Sequence, residues 1–350
     1  MKIRFAVLLI FLPFCAFTQT GGINTFDFLQ LPVSARSNAL GGNQFSWDST
    51  DISLGIENPA SYNPAMNRRM TFNTSIYPGA INHGYAAYSW NNKTLQTSFG
   101  TGIQYVAYGN FDQTDESGRV IGNFSASEYM LHTGAARNYG PFRYGTNLKI
   151  IYSQLESYNS FGFALDFGGI YIDSSKDLAL GISVLNLGYQ LFTYTPGTRE
   201  SLPFDIRIAL SKKLEHVPFR FDVVVHHLYT WDIRYNDPNQ SKPANIFGID
   251  TLNTVKPKSY FADKLARHFI FGGELILGPS LKIRMGYNHQ RRMELSGNIR
   301  RSWAGFSFGA GIRIAHVNID YSLANYNVAG TAHMFSLSTN LNTFLPKERH

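Results

Sequence analysis

The 350-residue chain holds a single cysteine, Cys15. One thiol forms no internal disulfide, so a stapled secreted scaffold is excluded. No run of ~18 consecutive apolar residues occurs, which excludes a transmembrane helix. Charge is scarce: Asp, Glu, Lys and Arg make up 16% of the residues, against about 25% in ordinary soluble domains. The net charge of +7 is partly N-terminal and otherwise scattered, with no compact basic cluster, so nucleic acid is not an expected partner. Fixed catalytic signatures are missing too: there is no His-Glu-x-x-His and no phosphate-binding glycine loop. What the chain does have is aromatic side chains, 15% of the total, at a mean hydropathy of only −0.17.

That near-neutral mean conceals a strict alternation. In Phe219-Arg220-Phe221-Asp222-Val223-Val224-Val225 the charges occupy even positions and apolar residues the odd ones. The same pattern recurs at Phe204–Ile208, Leu281–Met285 and Val317–Tyr321. Side chains alternate faces along a strand, so each segment has one apolar and one polar or ionised face. Repeated along most of the chain behind a secretory leader, the pattern predicts an all-β fold. The expected form is a transmembrane antiparallel up-and-down β-barrel, greasy outside and polar inside, with a short N-terminal helical plug or cap.

The leader reads as Lys2 and Arg4 followed by the apolar run Ala6 to Phe14, too short to span a bilayer. Cleavage is expected near Thr18/Gln19, making 1–18 a signal peptide. Phe14 stands just before Cys15, where a lipoprotein needs a small residue. Residues 19–67 do not alternate and are expected to form the plug or periplasmic cap. Within it, Ser34 caps a short helix that runs to Leu40 and is ended by Gly41 and Gly42. A second short segment, 51–57, leads into Asn58-Pro59-Ala60, where Asn before Pro favours a turn.

Residues 68–342 read as the barrel and 343–350 as a periplasmic tail. The expected strands are 68–77, 83–90, 94–108, 125–138, 142–156, 160–173, 177–187, 204–213, 217–229, 268–278, 280–290, 303–314, 316–325 and 331–342. That is about fourteen, an even number as bacterial barrels require. The connections sort by length. The even ones are short, and the long ones, 109–124, 188–203, 230–267 and 291–302, are all odd. Short periplasmic turns and long surface loops produce this sorting, with the N-terminus in the periplasm and the barrel in an outer membrane.

A charge facing lipid at mid-membrane costs roughly 2–4 kcal/mol. Lys149, Asp166, Asp205, Arg207, Arg220, Asp222, Glu274, Lys282, Arg284, Arg313 and Asp320 are therefore expected to point inward and pair. Such a network either packs a narrow barrel or serves as a transport path or a catalytic pair. Glycines such as Gly100, Gly168 and Gly272 suggest small residues where a plug meets the wall, or local kinks. Tyr152, Phe221, Tyr287, Trp303 and Tyr321 suit interface girdles.

The string Gly305-Phe306-Ser307-Phe308-Gly309 matches a nucleophile elbow, but that motif needs a strand-to-helix turn and this string falls mid-strand. His226 and His227 are adjacent in an expected strand, so they should face opposite ways and make a poor metal pair. His132, His268 and Ser307 are the residues that would serve a rim-site enzyme. No catalytic residue, cofactor or metal is expected.

The segment Phe28-Leu29-Gln30-Leu31-Pro32-Val33-Ser34-Ala35-Arg36-Ser37-Asn38-Ala39-Leu40-Gly41-Gly42, followed by Asn58-Pro59-Ala60 and a long barrel, resembles the PorV/PorQ group of outer-membrane proteins. It looks most like the PorQ-like form, and the Asp-Ser/Ala-Arg-x-Gly-Gly-Met-Gly form of PorV proteins is not present. This group serves the type IX secretion system of the Bacteroidota and is distantly related to fatty-acid-transport barrels. The resemblance implies a non-enzymatic scaffold in a cell-surface attachment complex. Its implied partner is a PorZ-like surface protein, and indirectly a PorU-like sortase and a PorV-like barrel. The expected contact region is the long odd connections, with Tyr229, Trp231, Tyr235, Phe247, Tyr260 and Phe261 as aromatic anchors. Arg291, Arg292, Arg300 and Arg301 would meet anionic lipopolysaccharide or an acidic partner. The alternative reading is a transporter of hydrophobic or other small molecules.

Overall fold

The computed structural model describes residues 24–44, 50–234, 261–295, 303–327 and 330–344. Among them, fourteen strands form one closed barrel. They are β1 (Arg69–Tyr77), β2 (Ile81–Asn92), β3 (Thr97–Thr114), β4 (Val120–Tyr139), β5 (Phe142–Leu155), β6 (Tyr158–Asp173), β7 (Leu178–Phe192), β8 (Asp205–Lys213), β9 (Phe219–Val225), β10 (Phe269–Leu277), β11 (Leu281–Asn288), β12 (Phe306–Ile314), β13 (Val317–Asn327) and β14 (Gly330–Asn340). Each strand pairs antiparallel with its sequence neighbour, and β1 closes on β14 from Arg69–Asn340 to Ile76–His333. Closure gives every strand two partners and leaves no open edge, which a hydrocarbon environment demands.

The faces follow the predicted alternation. In β1, Thr71, Asn73 and Ser75 are buried while Phe72, Thr74 and Ile76 are exposed. Around the barrel, Phe72, Ile103, Leu131, Ile182, Met285 and Phe335 form an outward apolar belt. A belt of this extent matches lipid rather than water. No helix among the described residues is long and apolar enough to cross a membrane.

Several ends differ from the sequence expectation. β3 and β4 continue to Thr114 and Val120, so the expected 109–124 loop is mostly ladder. Phe111 stacks on Phe124 across it at 5.2 Å. The turn is closed by Asp115, whose Oδ1 accepts from the Ser117 and Arg119 amides at 2.9 Å. β7 also runs on to Phe192, through an irregularity at Asn186 (φ 58°). β9 stops at Val225, four residues early, and His227 adopts φ 54°. Two short helices were not expected: α3 (Phe261–Arg267) and α4 (His289–Leu295), the latter replacing the last residues of the expected 280–290 strand.

The described N-terminal residues, 24–44 and 50–68, pack against the inner wall of the barrel. Call the end where the chain enters β1 the near end and the opposite end the far end. Asn24 bridges Ser201, in the β7–β8 connection at the far end. Residues 24–34 run inward from the far end and α1 (Ala35–Ala39) turns back toward it; after the undescribed 45–49, α2 (Leu54–Glu57) packs at mid-barrel against Arg207 and Asn147, and 58–68 lead to the near end and β1. The described plug therefore begins at the far end, opposite to the expected placement. α1 forms as its residues dictate. Ser34 Oγ accepts from the Ser37 amide at 3.2 Å, a standard N-cap, and Gly41 and Gly42 end the helix with φ of 102° and 80°.

Small wall residues admit the plug. A Cβ at Gly286 would lie 2.2 Å from both Gly41 N and Leu40 C, and one at Gly168 would lie 2.0 Å from Asn58 Oδ1. Plug apolar residues Phe26, Phe28, Leu29, Val33 and Ile56 pack on Tyr85, Val106, Met130 and Ile151 of the wall. Gly286→Val is expected to displace the α1 end and to destabilise the folded barrel by about 1–3 kcal/mol, the usual cost of overpacking. Urea unfolding in detergent, with tryptic release of the plug as a second readout, checks this. Wild-type values in both would refute the close-contact account.

Candidate functional site

Two regions hold the predicted site residues: the lumen and the far rim. In the lumen, plug and wall charges complete each other. Lys149 pairs with Asp166 at 2.9 Å and also donates to Asn186 Oδ1 at 2.8 Å. Arg207 binds Asp205 at 2.6 Å and the plug's Glu57 at 2.9 Å. Glu274 accepts from Arg284 at 2.7 Å and faces Arg220 and the plug's Arg36, each at 3.5 Å. Arg284 reaches on to Asp320 at 2.5 Å. Arg36 and Glu57 were missed from sequence. The only available signal was that each is an ion inside a short helix flanked by apolar residues.

Three expected members of the network behave differently. Asp222 is buried, yet neither carboxylate oxygen has a hydrogen-bond partner among the described residues. The reason is competition, since both nearby guanidiniums, Arg220 and Arg36, lean to Glu274. Arg313 is exposed at the near mouth and half-buried Lys282 lies beside it. With Arg36, Asp51, Arg284 and Asp320 they line a polar cavity of about 100 Å³.

Hydrogen bonds pin the plug between these ion pairs. Asn73 Nδ2 donates to Val33 O at 2.6 Å, Asn147 Nδ2 to Gly55 O at 2.8 Å and Gln104 Nε2 to Phe28 O at 3.0 Å. Ser307, the serine of the elbow-like string, donates to Ala39 O at 3.0 Å. It lies within β12 on the lumen face, with Phe308 exposed outside. His132 is buried against Tyr85, whose hydroxyl lies 3.1 Å from its Nε2.

At the far rim, Trp231 and Phe261 are both exposed, and their rings lie 5.4 Å apart. Asp232 clasps the same two chain ends, with Arg234 at 2.9 Å and Lys264 of α3 at 2.7 Å. The Arg234 hydrogen bonds, then Lys264, hold the Asp232 carboxyl well below the usual carboxylate range. Tyr229 is half-buried against Phe204, 5.3 Å away, and is less available than expected. Arg291 does not lie on an open loop: it belongs to α4 and its guanidinium stacks 4.1 Å from the Tyr326 ring centre. Arg292 is half-buried on the same helix. Tyr235, Phe247, Tyr260, Arg300 and Arg301 lie outside the described residues.

No protein-family model and no curated protein matches the chain. Solved structures do. The Ralstonia pickettii toluene transporter TbuX aligns with a TM-score of 0.52 at 10% identity, over 89% of this chain and 99% of that one. The Pseudomonas putida toluene transporter TodX gives 0.50 at 11% identity, over 88% and 97%. A TodX monoaromatic hydrocarbon channel with the deltaS2 mutation gives 0.54 at 12% identity, over 90% and 100%. These are transport barrels and not enzymes, and at this identity the likeness establishes the fold that the chain shares with them.

Arg207→Met would leave Asp205 and Glu57 buried without their cation. Breaking a buried pair in this way costs about 3–5 kcal/mol, so urea unfolding should show a loss of that order. Adding Glu57→Gln should restore part of it, and an unchanged midpoint for the single variant would count against the plug–wall pairing. The rim clasp should respond to acid. Because the folded Asp232 pKa is depressed, its contribution is present above the unfolded value of 3.8. It is lost as pH falls through the folded value. In a variant retaining Trp231 as its only tryptophan, emission should shift only below about pH 4, and Asp232→Asn should reproduce the shift at pH 7. A flat profile with a silent Asn variant would remove the clasp.

Proposed function

We propose that this chain is an outer-membrane barrel whose far end faces the cell surface, and that it works there as a non-enzymatic scaffold. In this reading the far rim holds a large surface partner of the PorZ-like kind within a type IX secretion and attachment complex. A PorU-like sortase and a PorV-like barrel are then reached indirectly. The observation that carries the proposal is the occupied lumen. The plug fills it with its own apolar side chains and locks to the wall through Arg36–Glu274 and Glu57–Arg207. Work done by such a barrel falls to its rim, where Trp231 and Phe261 stand exposed on a clasped base. Exposed aromatics on an ordered base are the usual anchors of protein–protein contacts. The resemblance of Phe28–Gly42 to the PorV/PorQ group supports the same reading.

A second reading is transport of hydrophobic small molecules. The fold likeness to TbuX and TodX favours it, and favours it over the scaffold. It requires the plug to shift, since Phe26, Phe28 and Leu29 occupy the apolar side of the lumen.

Affinity purification of the tagged barrel from solubilised outer membranes, paired with toluene uptake by the same cells, separates the two. A scaffold brings down a surface β-protein in stoichiometric amount, loses it when residues 236–258 are deleted, and leaves uptake unchanged. Recovery of the barrel alone, together with uptake that disappears in a strain lacking it, would replace the scaffold with the transporter.

A further inference from the structure

His226 and His227 do not point to opposite faces. β9 ends at Val225, and His227 takes φ 54°, a left-handed conformation uncommon for a non-glycine residue. That turn brings the His227 ring to the His226 ring, so that their Nδ1 atoms face each other in contact. Asp205, the first residue of β8, closes the group: its Oδ1 accepts from the His227 amide at 2.7 Å. One ligand atom from each of the three side chains lies within 4.8 Å of the others. The turn at His227 thus sets two imidazoles and a carboxylate side by side.

The charges around the group favour a cation. Arg207 faces two carboxylates, Asp205 at 2.6 Å and Glu57 at 2.9 Å, which leaves one formal negative charge in a buried place. Arg207 also fixes the Asp205 carboxylate from behind, as outer partners of metal ligands do. His268 plays another part: its Nδ1 contacts the His226 carbonyl at 2.7 Å and its Nε2 the Trp231 carbonyl at 3.3 Å. It holds the backbone on which both His226 and Trp231 are mounted.

We propose that Asp205, His226 and His227 form a site for one divalent transition-metal ion of the zinc class at the far rim. Two imidazole nitrogens and one carboxylate oxygen suit Zn²⁺, Ni²⁺ or Cu²⁺, whereas Ca²⁺ and Mg²⁺ require mostly oxygen ligands. Tetrahedral zinc with ligands at ~2.0–2.1 Å sets its ligand atoms roughly 3.4 Å apart, a spacing these side chains reach by rotation. Three protein ligands leave a fourth position for water or an incoming donor. Bound metal would tie the start of β8 to the end of β9, directly beneath the segment that carries Trp231. The site stands independently of the scaffold and transport readings.

The test uses the full chain purified in detergent without a histidine tag and stripped with chelator. Titration with Zn²⁺ by calorimetry should give one ion per chain. Both His226→Gln and His227→Gln should weaken it at least tenfold, while the exposed His216→Gln leaves it unchanged. Cu²⁺ bound to the same protein should show hyperfine coupling to two imidazole nitrogens, lost to one in His227→Gln. Heat-modifiable migration on gels confirms that each variant is a folded barrel. His227→Gln sits at a half-buried turn and keeps the test open if the buried His226 variant fails to fold. Absence of stoichiometric Zn²⁺ binding in the wild type, or unaltered binding in a folded His227→Gln, overturns the site.

Discussion

Everything in this barrel depends on where an ion can be placed. The outer surface meets hydrocarbon, so a charged side chain on a strand must turn inward, and once inside it must find a counter-charge. Inside, Lys149, Asp166, Asp205, Arg207 and Glu274 are all buried. The wall therefore carries acids and bases in near balance, and the plug supplies what the wall lacks. Glu274 shows this best, gathering Arg284 and Arg220 from its neighbouring strands and Arg36 from the plug. A buried charge without its partner is far costlier than a paired one, so plug and wall are bound to fold as one object.

That constraint shapes the plug's path. It must run close to the wall to bring Arg36 and Glu57 within reach, and backbone approaches this close leave no room for a side chain. The wall answers with glycine where the plug crosses, at Gly286 beneath Gly41 and at Gly168 beneath Asn58. Polar wall residues then satisfy the plug's carbonyls, as Asn73 does for Val33 and Asn147 for Gly55. Moving the plug would break these ion pairs together. A scaffold would keep them.

The far rim is built differently. Strands β8 to β12 are short, and their far ends pass into turns and helices instead of extended ladder. Here the chain leaves the lipid-matched band, and polar contacts no longer have to point inward. Asp232, Lys264, Trp231 and Phe261 brace one side, and Asp205, His226 and His227 gather just below. The near mouth is different again, with Lys282, Arg284 and Arg313 around a polar cavity.

The sequence by itself determined the barrel: period-two alternation is a local property, and it placed Lys149, Asp166, Asp205, Arg207 and Glu274 on inward faces without any knowledge of neighbours. The Ser34 cap and the Gly41-Gly42 stop were equally local, and so α1 was legible. The inward ions could be read, but their partners could not. Glu57 meets Arg207 across 150 positions, and Asp222 was left unpaired because a distant Glu274 drew off its cations. The place of Trp231 and Phe261 at one rim followed from loop lengths, whereas Arg291 stacking on Tyr326 did not. The plug's course from far end to near end, and the left-handed turn that brings His227 to His226, were decided only by tertiary structure. Contacts between residues far apart in the chain obey no sequence period, and a single backbone angle at His227 reverses which face a side chain presents.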